Sequence, residues 1–184
     1  MKSKAVFLDR DGVINKYPGD KLYVTRLTLF EFLPQAKQGI ALLTKAGFKI
    51  FVISNQAGVG KGVYSRKELD RITAYMMSKV EKAGGMLNAV HYCTHRPNQN
   101  CSCRKPKSGL VKLAFARHKN INLKKSFFVG DTIRDILTAK SAKLQSILVF
   151  SGKEKLKNRK DWVVEPDYLS KNLFQAAKLI LKKR

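Results

Sequence analysis

The sequence predicts an α/β fold, a Rossmann-like parallel sheet with helices on both faces. Short apolar runs alternate with stretches of helical periodicity along the 184 residues, which is the pattern of repeated strand–helix units. Several of these runs end abruptly in carboxylate, hydroxyl or amide side chains and glycine. Ligands of open α/β sheets bind at the carboxyl ends of the strands, so these polar side chains are expected to line one site.

The first strand is predicted at residues 5–8, a short apolar run that ends at two carboxylates. Residues 13–28 mix glycine, proline and tyrosine with short apolar pieces, and they are predicted to form a hairpin or flap over the end of that strand. Pro34 then opens a helix over residues 36–45, and Gly47 is placed to end it.

The second strand is predicted at residues 48–53, followed by a flexible glycine-containing loop at residues 57–62. A capping box at Ser65 begins the next helix, which is predicted to run to about residue 83. Its apolar residues recur at helical spacing and indicate a face packed on the core. A third strand is expected at residues 87–92.

The second half of the chain repeats the same alternation, with glycine or a polar turn at each boundary. The predicted helices cover residues 109–118, 133–143 and 169–181, and the predicted strands cover residues 126–129, 146–150 and 162–164.

Length and composition are those of one domain, residues 1–184. Hydrophobic content is 44%, and neither a membrane-spanning run nor a secretory signal is evident, so a cytoplasmic monomer is expected. The formal net charge of +24 favours an anionic partner, whether a phosphorylated metabolite, a nucleic acid or an anionic membrane surface. A solvated, lysine-rich surface without a specific partner is the alternative interpretation.

The first strand ends in two carboxylates, Asp9 and Asp11, followed by Gly12. In an extended segment the two carboxylates point to one side and Arg10 points away. Such a pair repels itself unless a cation lies between the groups or one of them holds a proton, and both conditions suit phosphoryl transfer. A simple polar turn after a strand is the alternative.

Two more predicted strands end in groups that suit the same chemistry. Ser54 and Asn55 follow the second strand, and Asp131 and Asp135 follow the fourth. Because parallel strands end at the same edge, these side chains are expected to meet Asp9 and Asp11 there.

All three cysteines lie in residues 93–103 together with a histidine. Cys93, His95, Cys101 and Cys103 form a Cys3His set suited to tetrahedral Zn2+ in a structural site with no open position. Free thiols gathered by chance are the alternative. Arg104 and Lys105 follow at once, so a zinc-stapled loop would place two cations over the acidic strand ends, unless they form only a solvated basic run.

Taken together, these segments resemble the haloacid dehalogenase superfamily of phosphohydrolases across essentially the whole chain. No separate cap domain has room between the motifs. The zinc set before Arg104 is similar to the branch that contains the D-glycero-D-manno-heptose 1,7-bisphosphate 7-phosphatases and the histidinol-phosphate phosphatases. The motifs, in order, are Phe7-Leu8-Asp9-Arg10-Asp11-Gly12, Ile53-Ser54-Asn55, Lys105-Pro106, and Gly130-Asp131 with Asp135.

The resemblance implies that Asp9 is the nucleophile and Asp11 the general acid/base. It implies that Ser54 and Lys105 hold the phosphoryl oxygens, although relatives commonly have Thr where this chain has Ser54. The remaining implied roles are Asn55 and Arg104 in substrate recognition, and Asp9, Asp11, Asp131 and Asp135 in binding Mg2+, Asp135 as an outer or alternative ligand.

The implied reaction is Mg2+-dependent hydrolysis of the 7-phosphate of a heptose bisphosphate, a step of carbohydrate metabolism that leads to activated heptose. Histidinol-phosphate phosphatase and polynucleotide 3′-phosphatase are alternative activities on the same scaffold. A zinc-stabilised nucleic-acid-binding module is the alternative that is not an enzyme. An acidic cluster at the strand ends would repel a polyanion, which argues against this last alternative.

Overall fold

The computed structural model describes residues 2–118 and 120–183 and contains a six-stranded sheet whose strand pairings are all parallel. The sheet order is β3-β2-β1-β4-β5-β6. This arrangement confirms the predicted Rossmann-like sheet. The strands are β1 (Ala5–Leu8), β2 (Lys49–Asn55), β3 (Ala89–Cys93), β4 (Phe127–Gly130), β5 (Gln145–Val149) and β6 (Tyr168–Ser170).

Helices connect or follow most of these strands, and none in the described residues has the length and hydropathy needed to cross a bilayer. The helices are α1 (Ala36–Lys45), α2 (Ala57–Gly60), α3 (Arg66–Glu81), α4 (Gly109–Arg117), α5 (Ile133–Ser141) and α6 (Leu173–Lys182).

Alternating side chains of β1 divide the core between the two faces of the sheet. Val6 and Leu8 pack in one buried cluster with residues of α1, α3 and α6. Ala5 and Phe7 pack in the other with residues of α4 and α5. Helices therefore cover both faces, as predicted, and β1 is buried on both.

The order of the strands reverses at β1. The chain moves outward from β1 through β2 to β3, then returns to the other side of β1 and continues through β4, β5 and β6. The carboxyl ends of β1 and β4 are therefore adjacent at the switch point, where open α/β sheets bind their ligands. β1 ends just before Asp9, and β4 ends just before Asp131.

The predictions for the last strand and helix were wrong in position. Residues 162–164 are not a strand, and Val163 is 80% exposed. The sheet instead takes Tyr168–Ser170, which pairs with β5. The final helix begins at Leu173 rather than at residue 169, because the Asn172 side chain caps it by accepting from the Gln175 backbone N–H.

Two loops also differ from their prediction. Residues 57–62 begin with the short helix α2 rather than with irregular loop. Residues 13–28 contain no strand ladder. They have isolated bridges that join Asn15 to Asp11 and to Phe32, and a 3-10 helix, Leu27–Leu29, begins at their end. The hairpin prediction was therefore wrong, although part of this segment does lie against the pocket described next.

Candidate active site

The carboxyl ends of β1, β2 and β4 surround a cavity of about 680 Å³. The phosphatase and Mg2+ residues predicted from the sequence all line this one cavity. They are Asp9, Asp11, Ser54, Asn55, Arg104, Lys105, Asp131 and Asp135. The parallel topology thus brings together side chains that are distant in the chain.

Lys105 lies at the base of the cavity between two carboxylates. Its Nζ is 2.9 Å from Asp9 Oδ1 and 2.6 Å from Asp135 Oδ1, and all three side chains are buried. Burial by itself lowers the pKa of Lys105, but the charges of Asp135 and Asp9 outweigh it and the pKa is raised. Lys105 therefore stays a cation inside the site.

Asn55, at the end of β2, holds the backbone of Lys105. The Lys105 N–H donates to Asn55 Oδ1 at 3.1 Å, and Asn55 Nδ2 donates to the Lys105 carbonyl at 3.2 Å. This reciprocal pair attaches the segment that carries Lys105 to the sheet. These hydrogen bonds of Asn55 are with the protein backbone, and the residue also lines the cavity.

Three buried carboxylates form an acidic cluster beside Lys105. Asp9, Asp131 and Asp135 are 8%, 1% and 0% exposed, and each offers an oxygen within 4.8 Å of the others. Burial, Asp135 and Asp11 raise the pKa of Asp9 to about 6, although Lys105 acts in the opposite direction. Burial, with the charges of Asp9 and Asp135, also raises the pKa of Asp131.

The acidic cluster fits a hard divalent cation. Mg2+ and similar ions prefer oxygen ligands, and a cation would remove the repulsion that raises these pKa values. The Lys153 N–H donates to Asp131 Oδ2 at 2.8 Å and fixes that carboxylate. Gly12 has φ +81°, and a Cβ there would lie 2.2 Å from the same oxygen, so glycine is needed for this close approach.

The raised pKa of Asp9 predicts that the metal-free protein loses stability as the pH rises. The folded state binds the Asp9 proton more tightly than the unfolded state, so this contribution is full below about pH 4 and is lost as the pH passes about 6. Relative to Asp9→Asn, we expect the free energy of unfolding to fall by up to about 3 kcal/mol between pH 4 and pH 7.

Urea unfolding of both proteins in the presence of a chelator measures this difference. An unchanged difference between the two proteins across that pH range would contradict the raised pKa of Asp9.

Arg10 does not point away from the two carboxylates, as alternation along an extended strand predicted. Its Nε and Nη2 donate to Asp11 Oδ1 at 3.1 and 2.9 Å, and Nη2 also lies 3.1 Å from Asp11 Oδ2. β1 ends at Leu8, and the chain turns immediately afterwards, so the alternation no longer applies at Arg10. The buried guanidinium also lies over the Tyr92 ring.

Sequence reasoning missed other side chains that contact the carboxylate of Asp11. Asn15 Nδ2 donates to Asp11 Oδ1, and Gln56 Nε2 donates to Asp11 Oδ2, both at 2.9 Å. Gln56 directly follows the two polar residues predicted at the end of β2, so its position was a usable signal. Asn15 carried no such signal, because it reaches Asp11 through the turn after β1.

The mouth of the cavity is formed by residues 17–23 on one side and by Lys153 on another. Lys153 Nζ lies 2.5 Å from Asp20 Oδ1, and the Tyr17 hydroxyl donates to the same oxygen at 2.6 Å. These contacts connect residues 17–23 to the loop after β5. Arg104 also lines the cavity, and its buried Nη1 has no hydrogen-bond partner among the described residues.

The predicted Cys3His set is brought together in the structure. The three sulfur atoms of Cys93, Cys101 and Cys103 lie 3.3–3.5 Å apart. His95 Nδ1 is 3.2 Å from Cys103 Sγ and 3.6 Å from Cys93 Sγ. The four ligand atoms lie within 4.8 Å of one another, which is a donor set that could hold a metal ion.

The loop that carries these ligands also contacts the loop after β2. Arg96 Nε donates to the Gly60 carbonyl at 2.7 Å. A Cβ at Gly60 would lie 2.2 Å from the Thr94 carbonyl oxygen, so the two backbones touch. Only one residue, Arg104, lies between Cys103 and Lys105 in the chain. The candidate metal-ligand set is therefore close in sequence to the cation at the base of the cavity.

Comparison with known proteins finds chains of similar sequence. The HAD-hydrolase-like family model matches residues 102–176. A D-glycero-beta-D-manno-heptose-1,7-bisphosphate 7-phosphatase of Helicobacter pylori is 37% identical over 90% of this chain and 94% of its own length. A protein of the same name from Pseudomonas putida is 39% identical over 82% of this chain and 84% of its own.

A solved structure is similar over nearly its full length. The D,D-heptose 1,7-bisphosphate phosphatase from B. bronchiseptica, complexed with magnesium and phosphate, superposes with a TM-score of 0.90 at 29% identity. The match covers 98% of this chain and 99% of that one.

Proposed function

The chain belongs to the haloacid-dehalogenase-like phosphatases, and on that premise we propose that it removes the 7-phosphate of D-glycero-D-manno-heptose 1,7-bisphosphate. The observation that carries the proposal is that one cavity holds a cation among carboxylates at its bottom and a second cation in its wall. Buried carboxylates around Lys105 form the base of the cavity, and Arg104 lies in its wall, where its Nη1 has no hydrogen-bond partner in the described part of the chain. A bisphosphate has one phosphate group that can bind beside Lys105 at the bottom of the cavity and a second that can bind Arg104.

The reaction proceeds in two displacements on phosphorus. A carboxylate oxygen of Asp9 attacks the 7-phosphate, the bond from phosphorus to the sugar oxygen breaks, and Asp11 gives that oxygen a proton. The resulting aspartyl-phosphate is hydrolysed by a water molecule whose proton returns to Asp11. The products are heptose 1-phosphate and inorganic phosphate, and Asp9 is regenerated.

Two side chains are assigned to the phosphoryl oxygens. The Lys105 ammonium is buried beside Asp9, where its charge is weakly screened, and Ser54 supplies a hydroxyl from the end of β2. Asn55 keeps Lys105 in place through its backbone. Asn55 also lines the cavity, so this positional role is compatible with the part in substrate recognition that the sequence resemblance implies.

Mg2+ is the cation assigned to the acidic cluster. Asp9, Asp131 and the backbone carbonyl of Asp11 would hold it. Asp135 would be an outer ligand because both of its oxygens are engaged, Oδ1 with Lys105 and Oδ2 with Thr132. When bound, it supplies positive charge for the phosphoryl oxygens and relieves the repulsion among the carboxylates.

Zn2+ is the ion assigned to Cys93, His95, Cys101 and Cys103. Four protein ligands leave no position for substrate, so its role is structural. The loop 93–103 is then an insertion before Arg104 in a single domain of residues 1–184, without a cap domain. We also propose that the protein is a monomer, since all the residues assigned to the cavity come from one chain.

The proposed substrate predicts a clear order of activities. Phosphate release with Mg2+ is expected to be at least about tenfold faster, in kcat/KM, from heptose 1,7-bisphosphate than from histidinol phosphate or a 3′-phosphorylated oligonucleotide. Both anomers of the bisphosphate are assayed, since the preferred one defines the geometry at C1. Activity should disappear when a chelator removes Mg2+.

Each alternative corresponds to a different result. A preference for histidinol phosphate or for the oligonucleotide would overturn the assigned substrate while leaving the roles of Asp9 and Asp11 in place. Salt-dependent nucleic-acid binding with no Mg2+-dependent phosphate release would overturn the enzyme assignment itself.

A further inference from the structure

A single amide group connects two of the side chains assigned to catalysis. Gln56 Nε2 donates to Asp11 Oδ2 at 2.9 Å and to Ser54 Oγ at 3.2 Å. Gln56 is 1% exposed, and Ser54 is buried beside it. Because both amide hydrogens are used in this way, the distance between the Asp11 carboxylate and the Ser54 hydroxyl is set by the width of one NH2 group.

The orientation of this amide is determined by Tyr64. The Tyr64 hydroxyl donates to Gln56 Oε1 at 2.6 Å, and the Tyr64 side chain is buried. This bond occupies the oxygen of the amide and leaves the NH2 group facing Asp11 and Ser54. Tyr64 directly precedes Ser65, the residue that caps α3, so its position is tied to the start of a long helix.

The opposite side of the Asp11 carboxylate is held by Arg10 and Asn15. Arg10 donates to both carboxylate oxygens, and Asn15 donates to Oδ1. Arg10 and Asn15 are both fully buried, and hydrogen bonds in such surroundings are stronger than those exposed to water. Together with Gln56, these donors contact both oxygens of the Asp11 carboxylate and restrict its rotation.

We propose that Gln56 and Tyr64 are positioning residues that align Asp11 with the phosphoryl group held by Ser54. The inference rests on the proposed function, in which Asp11 protonates the leaving oxygen. A side chain that transfers a proton must be held within hydrogen-bond reach of that oxygen as the phosphorus–oxygen bond breaks. The Gln56 amide provides that alignment, and the Tyr64 hydroxyl keeps the amide in the orientation that does so.

If Gln56 and Tyr64 position Asp11, the effect of replacing them on kcat/KM should depend on the leaving group of the substrate. A sugar alkoxide is a poor leaving group and needs the proton from Asp11 as its bond to phosphorus breaks. The p-nitrophenolate of p-nitrophenyl phosphate leaves as a stable anion and does not need it. For both substrates kcat/KM reports the steps up to formation of the aspartyl-phosphate, so a change in later hydrolysis does not obscure the comparison.

Tyr64→Phe is the first variant to test, because it removes one hydroxyl and keeps the ring. We expect kcat/KM for the heptose bisphosphate to fall about three- to tenfold, the effect of one buried hydrogen bond, and kcat/KM for p-nitrophenyl phosphate to change less than twofold. Tyr168→Phe is the matched control, since Tyr168 also donates to a glutamine, Gln145, at the amino ends of the last two strands.

Gln56→Leu extends the test by removing both donated hydrogen bonds, and we expect a loss of about ten- to a hundredfold for the sugar phosphate only. Equal losses on the two substrates, or no loss in Tyr64→Phe, would overturn the positioning role. A different result would contradict the proposed function: a wild-type protein that does not prefer the heptose bisphosphate. The melting temperature of each variant separates these effects from unfolding.

Discussion

Replacing Asp9 with asparagine is expected to lower kcat by at least about four orders of magnitude, the size of effect seen when the nucleophile of a covalent mechanism is lost. Asn has nearly the same shape but is a far weaker nucleophile. The fold should persist, because Lys105 keeps its contact with Asp135 when its contact with Asp9 is weakened. Phosphate release at saturating substrate and Mg2+ measures the loss.

Asp70→Asn is the matched control for this substitution. Asp70 pairs with Arg66 on the exposed surface of α3, at 2.8 Å, and exposed ion pairs contribute little to stability. Its activity should equal that of the wild-type protein. Turnover by Asp9→Asn within about tenfold of wild type would show that Asp9 is not the nucleophile. Circular dichroism spectra of the two proteins check that both are folded.

Removal of the ion assigned to Cys93, His95, Cys101 and Cys103 is expected to lower the melting temperature by about 10 °C or more and the activity by at least about tenfold. Residues 95–100 are exposed, so this part of the loop has little core of its own. Without the ion, the loop no longer fixes Arg104 and Lys105 over the acidic cluster. The expected loss of activity follows from that displacement.

The test compares the wild-type protein before and after a strong chelator, with excess Mg2+ restored before the assay so that only the second ion is missing. Metal content is measured at each stage, and added Zn2+ should restore both properties. Ser102→Ala, in the same loop but outside the ligand set, is the control for Cys101→Ala and Cys103→Ala. Unchanged melting and activity in the metal-depleted protein would contradict a structural role.

The convergence of the site could be predicted from the sequence because it depends on topology alone. Once the apolar runs are taken as parallel strands, the residues after them must meet at one edge of the sheet. Asp9, Ser54 and Asp131 are brought together for that reason. The proximity of Cys93, His95, Cys101 and Cys103 could likewise be predicted from their residue types and close spacing.

The contacts of Arg10 and Asn15 with Asp11 could not be predicted because they depend on the path of the chain after β1. Local alternation gives the direction of a side chain only while the strand continues, and Arg10 lies beyond its end. The hydrogen bonds of Asn55 could not be predicted for a similar reason, since their partner, the backbone of Lys105, is 50 residues away.

The last strand shows a different limit of sequence reasoning. Residues 162–164 have the apolar and β-branched character of a strand, but the Trp162 indole N–H donates to Glu154 and Val163 is exposed. Pairing with β5 selects Tyr168–Ser170 instead. Residue preference alone does not decide which of two neighbouring segments adds to the edge of a sheet.

The central place of β1 determines when a growing chain can acquire its catalytic site. β1 is made first, but one of its two neighbours is β4, and the hydrogen bond from the Ala5 N–H to Ser126 Oγ joins positions 121 residues apart. During synthesis the amino-terminal strand can pair with β2 while its other edge stays open. Asp9, the proposed nucleophile, is therefore synthesised long before Asp131 and Asp135, the proposed Mg2+ ligands. We expect the nascent chain to have no phosphatase activity until these two residues have emerged from the ribosome.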